Sequence, residues 1–285
     1  MKLIVTHRSP DLDAIGSVWV LKRFAGENFA DAKVVFVNAG EKLDIRDIAD
    51  LGFSMEQTVH VDTGLGEFDH HQEDRGKQRI CATSLVYDYV SALSPDLKND
   101  EALKYLVEYT TQIDHFEDCY WENAAGLDKQ LLIHNLIDGA KGLSYADDDA
   151  TLHFGMQCLD AAHHSLTEQI SAIKDLKEHK IEFETRWGKA VAVESGHDEV
   201  LNVSQKNGYV IAVRKDPVRG GVRIKAIPDK GIDLTPVYQK IMEQDEVGHW
   251  FFHASKTMIL NGSTKSESTP SPLNLNQVIE MIKQS

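Results

Sequence analysis

The chain has 285 residues, 42% of them hydrophobic and 26% charged, which reads as an ordinary soluble globular chain long enough for two domains of typical size. A net charge of −15 argues against a grip on long duplex DNA, because basic side chains that neutralise phosphates supply most non-specific affinity; small phosphorylated substrates stay compatible. No apolar run approaches membrane length, Met1 to Thr6 is too short for a signal-peptide core, and the three widely spaced cysteines (Cys81, Cys119, Cys158) form no zinc or disulfide pattern, so a reducing cytoplasm and buried thiols are expected.

Lys2-Leu3-Ile4-Val5-Thr6 is a short apolar, β-branched run and predicts a strand. His7 then falls at its C-terminal edge, where open α/β sheets keep their ligand crevice. Ser9-Pro10 breaks the strand, and Asp11 and Asp13 in the loop that follows can both turn toward one point. Residues 14–24 read as a nearly all-apolar buried helix, which sets Asp13 near a helix N-terminus that favours its charge. A plainer account stays open, with Asp13 as a helix cap and His7 as a polar strand end.

Val59-His60-Val61-Asp62 predicts a second strand ending in an aspartate, and Thr63-Gly64 is a turn signal. A carboxylate there is well placed to bridge two cations. Asp69-His70-His71 follows on the next short stretch, where adjacent histidines on extended backbone point to opposite sides. Residues 101–112 read as a helix with Leu103, Leu106 and Val107 apolar, continued by Ile113-Asp114; Asp118, four residues on and on the same helical face, rivals Asp114 as the inward acid. His163-His164 sits in a polar helical stretch without a strand-end acid and is assigned no function. Carboxylate oxygens mixed with imidazole nitrogens are the donors that a pair of divalent transition ions needs, which points to two-metal phosphoester hydrolysis.

Residues 144–149 read as a polar linker and 152–186 as mostly helical. Strands are then predicted at 189–194, 209–214, 222–227 and 249–253, with helices at 234–243 and 275–282. The expected fold class is α/β: a parallel-sheet N-terminal domain over 1–150, a helical linker over 151–187 and a smaller α/β domain over 188–285. Arg214, Lys215, Arg219, Arg223 and Lys225 form the one local basic stretch, around Gly220-Gly221, and serve either as a solvated face or as a holder of substrate phosphates. Asn261-Gly262 is either a hairpin turn or a close backbone approach to a phosphate or base, with Ser263, Thr264 and Lys256 as donors.

His7-Arg8-Ser9-Pro10-Asp11-Leu12-Asp13-Ala14-Ile15-Gly16-Ser17 together with Asp69-His70-His71 resembles the DHH phosphoesterase superfamily in order, spacing and strand context. That superfamily includes single-strand exonucleases, oligoribonucleases, cyclic-dinucleotide phosphodiesterases and manganese-type inorganic pyrophosphatases. The resemblance implies that His7 and Asp11 hold one metal, that Asp13, His70 and Asp114 hold the other, and that Asp62 bridges them. It further implies that Asp62 and His71 are catalytic, His71 facing the scissile phosphate, and that Asp69 orients a histidine. The cofactors it implies are two divalent ions, manganese first, with magnesium or cobalt as alternatives. Residues 82–89 resemble the helix after the name motif and equally read as a core stripe of Leu85, Val86 and Tyr89.

The C-terminal lobe resembles the substrate-binding domain often attached to DHH domains. Trp250 to Lys256 and Leu260 to Thr264 correspond to its His- and Gly-containing segment, although the usual Gly-Gly-His run is absent. The substrate-binding residues expected are Arg219 and Arg223 from the basic stretch and, by this resemblance, His253, Lys256, Asn261, Gly262 and Ser263. The expected protein is a cytoplasmic, exonuclease-like metal-dependent phosphoesterase for small phosphorylated substrates or short single-stranded oligonucleotides, with no duplex DNA and no membrane as partner. One alternative is a manganese-type pyrophosphatase, although the C-terminal lobe lacks a Ser-Arg-Lys-Lys-Gln-like signature. The other is a non-catalytic nucleotide- or metal-binding regulator, against which the presence of all six ligand candidates argues.

Overall fold

In the computed structural model, β1 (Leu3–His7) lies between β2 (Lys33–Val37) and β3 (Thr58–His60) in a sheet of order β2-β1-β3, parallel throughout. Residues 1–143, 147–229, 231–262 and 268–285 are described. Ser144, Tyr145 and Ala146 of the expected linker, and Ser263 and Thr264 of the expected substrate segment, lie outside the described residues. The chain divides after Ser165 into two units, Met1–Ser165 and Leu166–Ser285.

In the first unit, Leu3 and Val5 share one face of β1 and pack with Val37 and Ile48, the latter from α3 (Ile45–Asp50). Between β1 and β2 run α1 (Leu12–Phe24) and the short α2 (Glu27–Ala30). Every residue of α1 from Leu12 to Leu21 is buried, as a helix apolar on all sides requires. It packs against α4 (Ala82–Leu93) and α5 (Glu101–Asp114), and α6 (Ile133–Lys141) follows. The parallel arrangement puts the C-terminal ends of all three strands at one edge, and His7 and the residues just past β2 and β3 are gathered there.

A 32-residue helix, α7 (Asp148–His179), runs across the division between the units. The second unit then forms a six-stranded sheet of order β4-β5-β6-β7-β9-β8 from β4 (Ile181–Thr185), β5 (Gly188–Glu194), β6 (Ile211–Lys215), β7 (Val222–Ala226), β8 (Trp250–Phe252) and β9 (Met258–Asn261), in which only β5 and β6 pair in parallel. Both faces of this sheet are covered, and β5 shows it within one strand. Ala190 and Ala192 pack with Val237 and Ile241 of α9 (Thr235–Gln244) and Val278 and Ile279 of α10 (Leu275–Lys283), whereas Val191 and Val193 pack with Val200 and Val203 of α8 (Glu199–Lys206) and Leu176 of α7.

Several expectations change. The helical stretch expected over 152–186 ends at His179, and 181–185 is instead the edge strand β4. Elements β2, α3 and α8 were not foreseen. The thiols are not uniformly buried, since Cys119 is exposed and Cys158 half-exposed. Asp118 is not on the helix of Asp114, because α5 ends at Asp114, Phe116 adopts φ +55°, and Glu117–Tyr120 is a separate 3-10 turn. Among the described residues, no helix is long and apolar enough to cross a membrane.

Candidate metal centre

The site begins with Asp11, which caps α1 by accepting hydrogen bonds at Oδ1 from the backbone N–H groups of Asp13 and Ala14, both at 3.0 Å. Asp13 caps a different helix from the one its position suggested. Its carboxylate accepts from the Ala82 N–H at 2.7 Å and the Thr83 N–H at 2.8 Å, the first residues of α4. In Asp13 each carboxylate oxygen accepts one such bond and keeps a lone pair, and in Asp11 both bonds fall on Oδ1 and leave Oδ2, so capping and cation binding are compatible.

Asp62 lies just past β3 with φ +53°, and His7 Nε2 is 3.2 Å from its Oδ2 and 3.8 Å from Asp11 Oδ1. The other ring nitrogen of His7 donates to the Arg8 carbonyl at 2.9 Å, which leaves Nε2 the inward atom. His70 stands between two acids, Nδ1 3.5 Å from Asp13 Oδ2 and Nε2 3.4 Å from Asp114 Oδ2. Three sets of ligand atoms gather within 4.8 Å of one another: His7, Asp11 and Asp62; Asp13, His70 and Asp114; and Asp62, His70 and His71. Asp118 belongs to none of them.

The two motif histidines do not point to opposite sides. Their rings stack with centroids 4.1 Å apart, and Asp69 Oδ1 accepts both the His71 N–H at 3.0 Å and a bond from His71 Nδ1 at 2.8 Å. Asp69 is fully buried and its other oxygen accepts the Leu65 N–H at 2.7 Å. Burial opposes its charge, yet these bonds hold its carboxyl below the usual range, so it stays ionised. With Nδ1 committed to Asp69, the free nitrogen of His71 is Nε2, on a ring that borders a cavity of about 330 Å³ also lined by His7, Asp11, Asp62 and Asp114.

The electrostatics are those of a site short of positive charge. Burial, and then the charge of Asp13, push Asp62 well above the usual carboxylate range, and burial followed by the charges of Asp13 and Asp11 pushes Asp114 up to about 8. Burial alone would lower His7, but hydrogen bonds to Asp11 and Asp62 outweigh it and raise the ring to about 11. Burial lowers His70 and keeps it a neutral imidazole, the form that binds metal. Two buried atoms here, Asp62 Oδ1 and His70 Nδ1, have no hydrogen-bond partner. Orphaned ligand atoms among crowded carboxylates are a physical fit to divalent cations, which would satisfy both and offset the repulsion.

Sequence reasoning missed Ala39 and Gly40, which line the same cavity from the loop after β2. The signal was available, since Val34-Val35-Phe36-Val37 is a strand-like run and Asn38-Ala39-Gly40 marks its C-terminal end.

In the second unit, Arg219, Arg223, Asn261 and Gly262 line one cavity of about 410 Å³, with Arg214, Asp198 and Asp216. Arg214 is buried and held by Asp198 and Asp216, and Arg223 also bonds Asp198. Arg219 is exposed and its side chain has no partner among the described residues. The Asn261 amide is saturated by the carbonyls of His249 and Thr269 and the Ser271 N–H. Gly262 packs on Gly221, where a side-chain carbon would come within 2.7 Å of the Gly221 Cα. His253 and Lys256 are not brought to this cavity; they sit in the β8–β9 turn, on Ser255 and Asp233 respectively. His163 bonds Asp100 at 2.9 Å.

No protein-family model matches the sequence, and no curated protein does. Among solved structures, the chain is similar to the pGpG-specific phosphodiesterase PggH from Vibrio cholerae at 11% identity, covering 93% of each chain with a TM-score of 0.31. It is similar to RecJ from Thermus thermophilus in complex with Mn2+ at 11% identity and a TM-score of 0.35, covering 99% of this chain and 52% of RecJ, and so spans about half the length of that protein. The DHH domain of a member of the S1p family of ribosomal proteins matches at 12% identity and a TM-score of 0.31, over 99% of this chain and 86% of that one.

Proposed function

We propose that the first unit is a metal-dependent phosphoester hydrolase of the DHH kind, acting on short oligonucleotides or nucleotide-like phosphoesters. The observation that supports this best is the gathering of His7, Asp11, Asp13, Asp62, His70 and Asp114 into overlapping ligand sets around two orphaned buried atoms. His7 and Asp11 would hold one cation, Asp13, His70 and Asp114 the other, and Asp62 would serve both; manganese is the first choice for this mixed oxygen and nitrogen donor set. Two such ions, when bound, would acidify a water and neutralise charge building on the phosphoryl oxygens.

The chain's own contribution lies in His71. The Asp69 carboxylate accepts from its Nδ1 and fixes the ring, so Nε2 is the atom left to pass a proton to the leaving oxygen of a phosphoester seated in the cavity. The cavity wall of Ala39 and Gly40 brings little side-chain bulk, which suits a phosphoryl group with a substituent attached. In the second unit, Arg219, exposed and without a side-chain partner among the described residues, offers its guanidinium to a phosphate in the cavity that Arg223 also lines.

Hydrolysis of bis-p-nitrophenyl phosphate with and without manganese, on protein stripped with a chelator, tests the chemistry. Turnover that returns with the ion is expected, and none in either condition would reject the reading. A panel of short RNA, short DNA, cyclic dinucleotides, nucleoside bisphosphates and pyrophosphate then identifies the substrate class.

A further inference from the structure

The loop that carries Asp62 into the two histidines is built against ordinary backbone preference. Asp62, Gly64 and Leu65 have φ values of +53°, +78° and +51°. Two of these are not glycine, and left-handed conformations of such residues persist only where their surroundings impose them. Regular strand pairing does not impose it, since β3 stops at His60 and the pairing that follows is confined to Val61, which donates to the Val5 carbonyl at 2.9 Å and bridges to Phe68, and to the Asp62 N–H.

Asp62 and Leu65 are held directly, the Asp62 N–H by the Phe68 carbonyl at 2.9 Å and the Leu65 N–H by the Asp69 carboxylate at 2.7 Å, and side chains that follow the motif hold the stretch that supplies these partners. The Gln72 amide donates to the Gly66 carbonyl at 2.6 Å, and one guanidinium nitrogen of Arg75, Nη1, donates to the Glu67 carbonyl at 2.8 Å and to the Asp69 carbonyl at 2.7 Å. The Asp69 carbonyl belongs to the peptide plane that enters His70, so fixing it fixes the His70 N and Cα from which the ring is hung. The guanidinium is permanently charged, and its bonds to carbonyls are correspondingly strong.

We infer that Arg75 is a positioning residue for the metal centre: by tying the carbonyls on either side of Phe68 to one nitrogen, it sets His70 between Asp13 and Asp114 and lets the Asp69 carboxylate hold His71. This rests on the reading of the site as a dinuclear metal centre. It adds a residue that touches neither ion nor substrate and that stands four positions past the last motif histidine. A purely structural Arg75 would brace the loop through the packing of its stem, and a side chain of similar length without donors would then serve equally well.

The full-length protein with Arg75→Met and with Arg75→Lys separates these possibilities. Manganese alone is titrated calorimetrically, the loaded protein is inspected by electron paramagnetic resonance for the signal of a coupled manganese pair, and kcat and KM are measured on bis-p-nitrophenyl phosphate. Arg75→Met is expected to bind the second manganese about ten-fold more weakly, to lose the coupled signal in proportion, and to lower kcat about ten-fold with KM little changed, as losses of residues that orient metal ligands do. Arg75→Lys can place one charged nitrogen between the same carbonyls and should recover most of each loss. Wild-type affinity and coupling in Arg75→Met would overturn the assignment, and so would equal failure of both variants, which would indicate shape and not the donor. If Arg75→Met does not fold, Arg75→Leu, which also lacks a donor, gives the same test: weakened manganese binding supports the assignment and wild-type binding overturns it. A failure of the unaltered protein to bind manganese would remove the dinuclear reading itself, and this inference with it.

Discussion

Asp62 takes a left-handed backbone conformation, which asparagine tolerates as well as aspartate does, so Asp62→Asn changes the charge with little disturbance of the loop. It is also the acid common to two of the three ligand sets. Metal content of both sites should fall together and turnover should drop by about a hundred-fold or more, further than for any other single aspartate. Elemental analysis of the dialysed variant beside its kcat checks this, and near-normal values of both would show that Asp62 does not bridge.

Asp114 allows a prediction in pH. In the folded metal-free protein its carboxyl holds a proton up to about 8, whereas its ordinary value is 3.8. Between those values the unfolded chain binds fewer protons than the native one, so this group's effect is to lower stability as pH rises from about 4 to about 8. A cation displaces the proton and removes the penalty. The rise in melting temperature on adding manganese should therefore be larger at pH 8 than at pH 5. An equal rise at both would mean that Asp114 is ionised throughout and has its counter-charge elsewhere.

At the scale of elements, α1 and α4 pack closely at Gly16, where a side-chain carbon would lie 2.5 Å from Thr83 Oγ1. That hydroxyl is bonded to the Asp13 carbonyl at 3.0 Å and cannot turn away without losing the bond. On an isolated helix, glycine to alanine would be favourable by about 0.5–1 kcal/mol. Here the overlap opposes it, and such overpacking costs about 1–3 kcal/mol, so Gly16→Ala should destabilise the protein. Chemical denaturation reads the difference, and Thr83→Ala in the same chain should return part of it.

Which elements the sequence disclosed follows from how much of each is buried. α1 and α5 were legible because long apolar patterns announce helices, β1, β5 and β6 because they are largely apolar runs, and β7 because Val-Arg-Ile-Lys-Ala alternates. β4 was not: Ile-Glu-Phe-Glu-Thr alternates, but Phe183 is its only buried residue and no glycine, proline or asparagine separates it from the end of α7. The metal-site candidates were legible because each cluster follows a strand or sits in a long helix. The stacking of His70 on His71 was not, and neither was Arg75, whose partners are carbonyls and leave no residue pattern.

For the molecule as a whole, the question is whether both units act on one substrate. Arg219 and Arg223 border the same cavity, but they are not equivalent: Arg223 is paired with Asp198, whereas Arg219 is exposed and has no partner for its side chain among the described residues. If the cavity holds a remote phosphate of an oligonucleotide, that contact is the same in ground and transition states and acts as uniform binding. Removing both charges should then raise KM for a short oligonucleotide about ten-fold, the effect of a lost interaction of about 1.4 kcal/mol, with kcat little changed. Arg219→Ala alone should produce much of this, because its removal leaves no acid unpaired, whereas loss of Arg223 also releases Asp198 from one of its two partners. A small activated diester should be hydrolysed at the unaltered rate by both variants. His70→Ala should abolish both reactions, because its ring stands between Asp13 and Asp114 in a centre that every substrate needs. Equal loss on both substrates in the arginine variants would instead assign the basic stretch to the folding of the second unit.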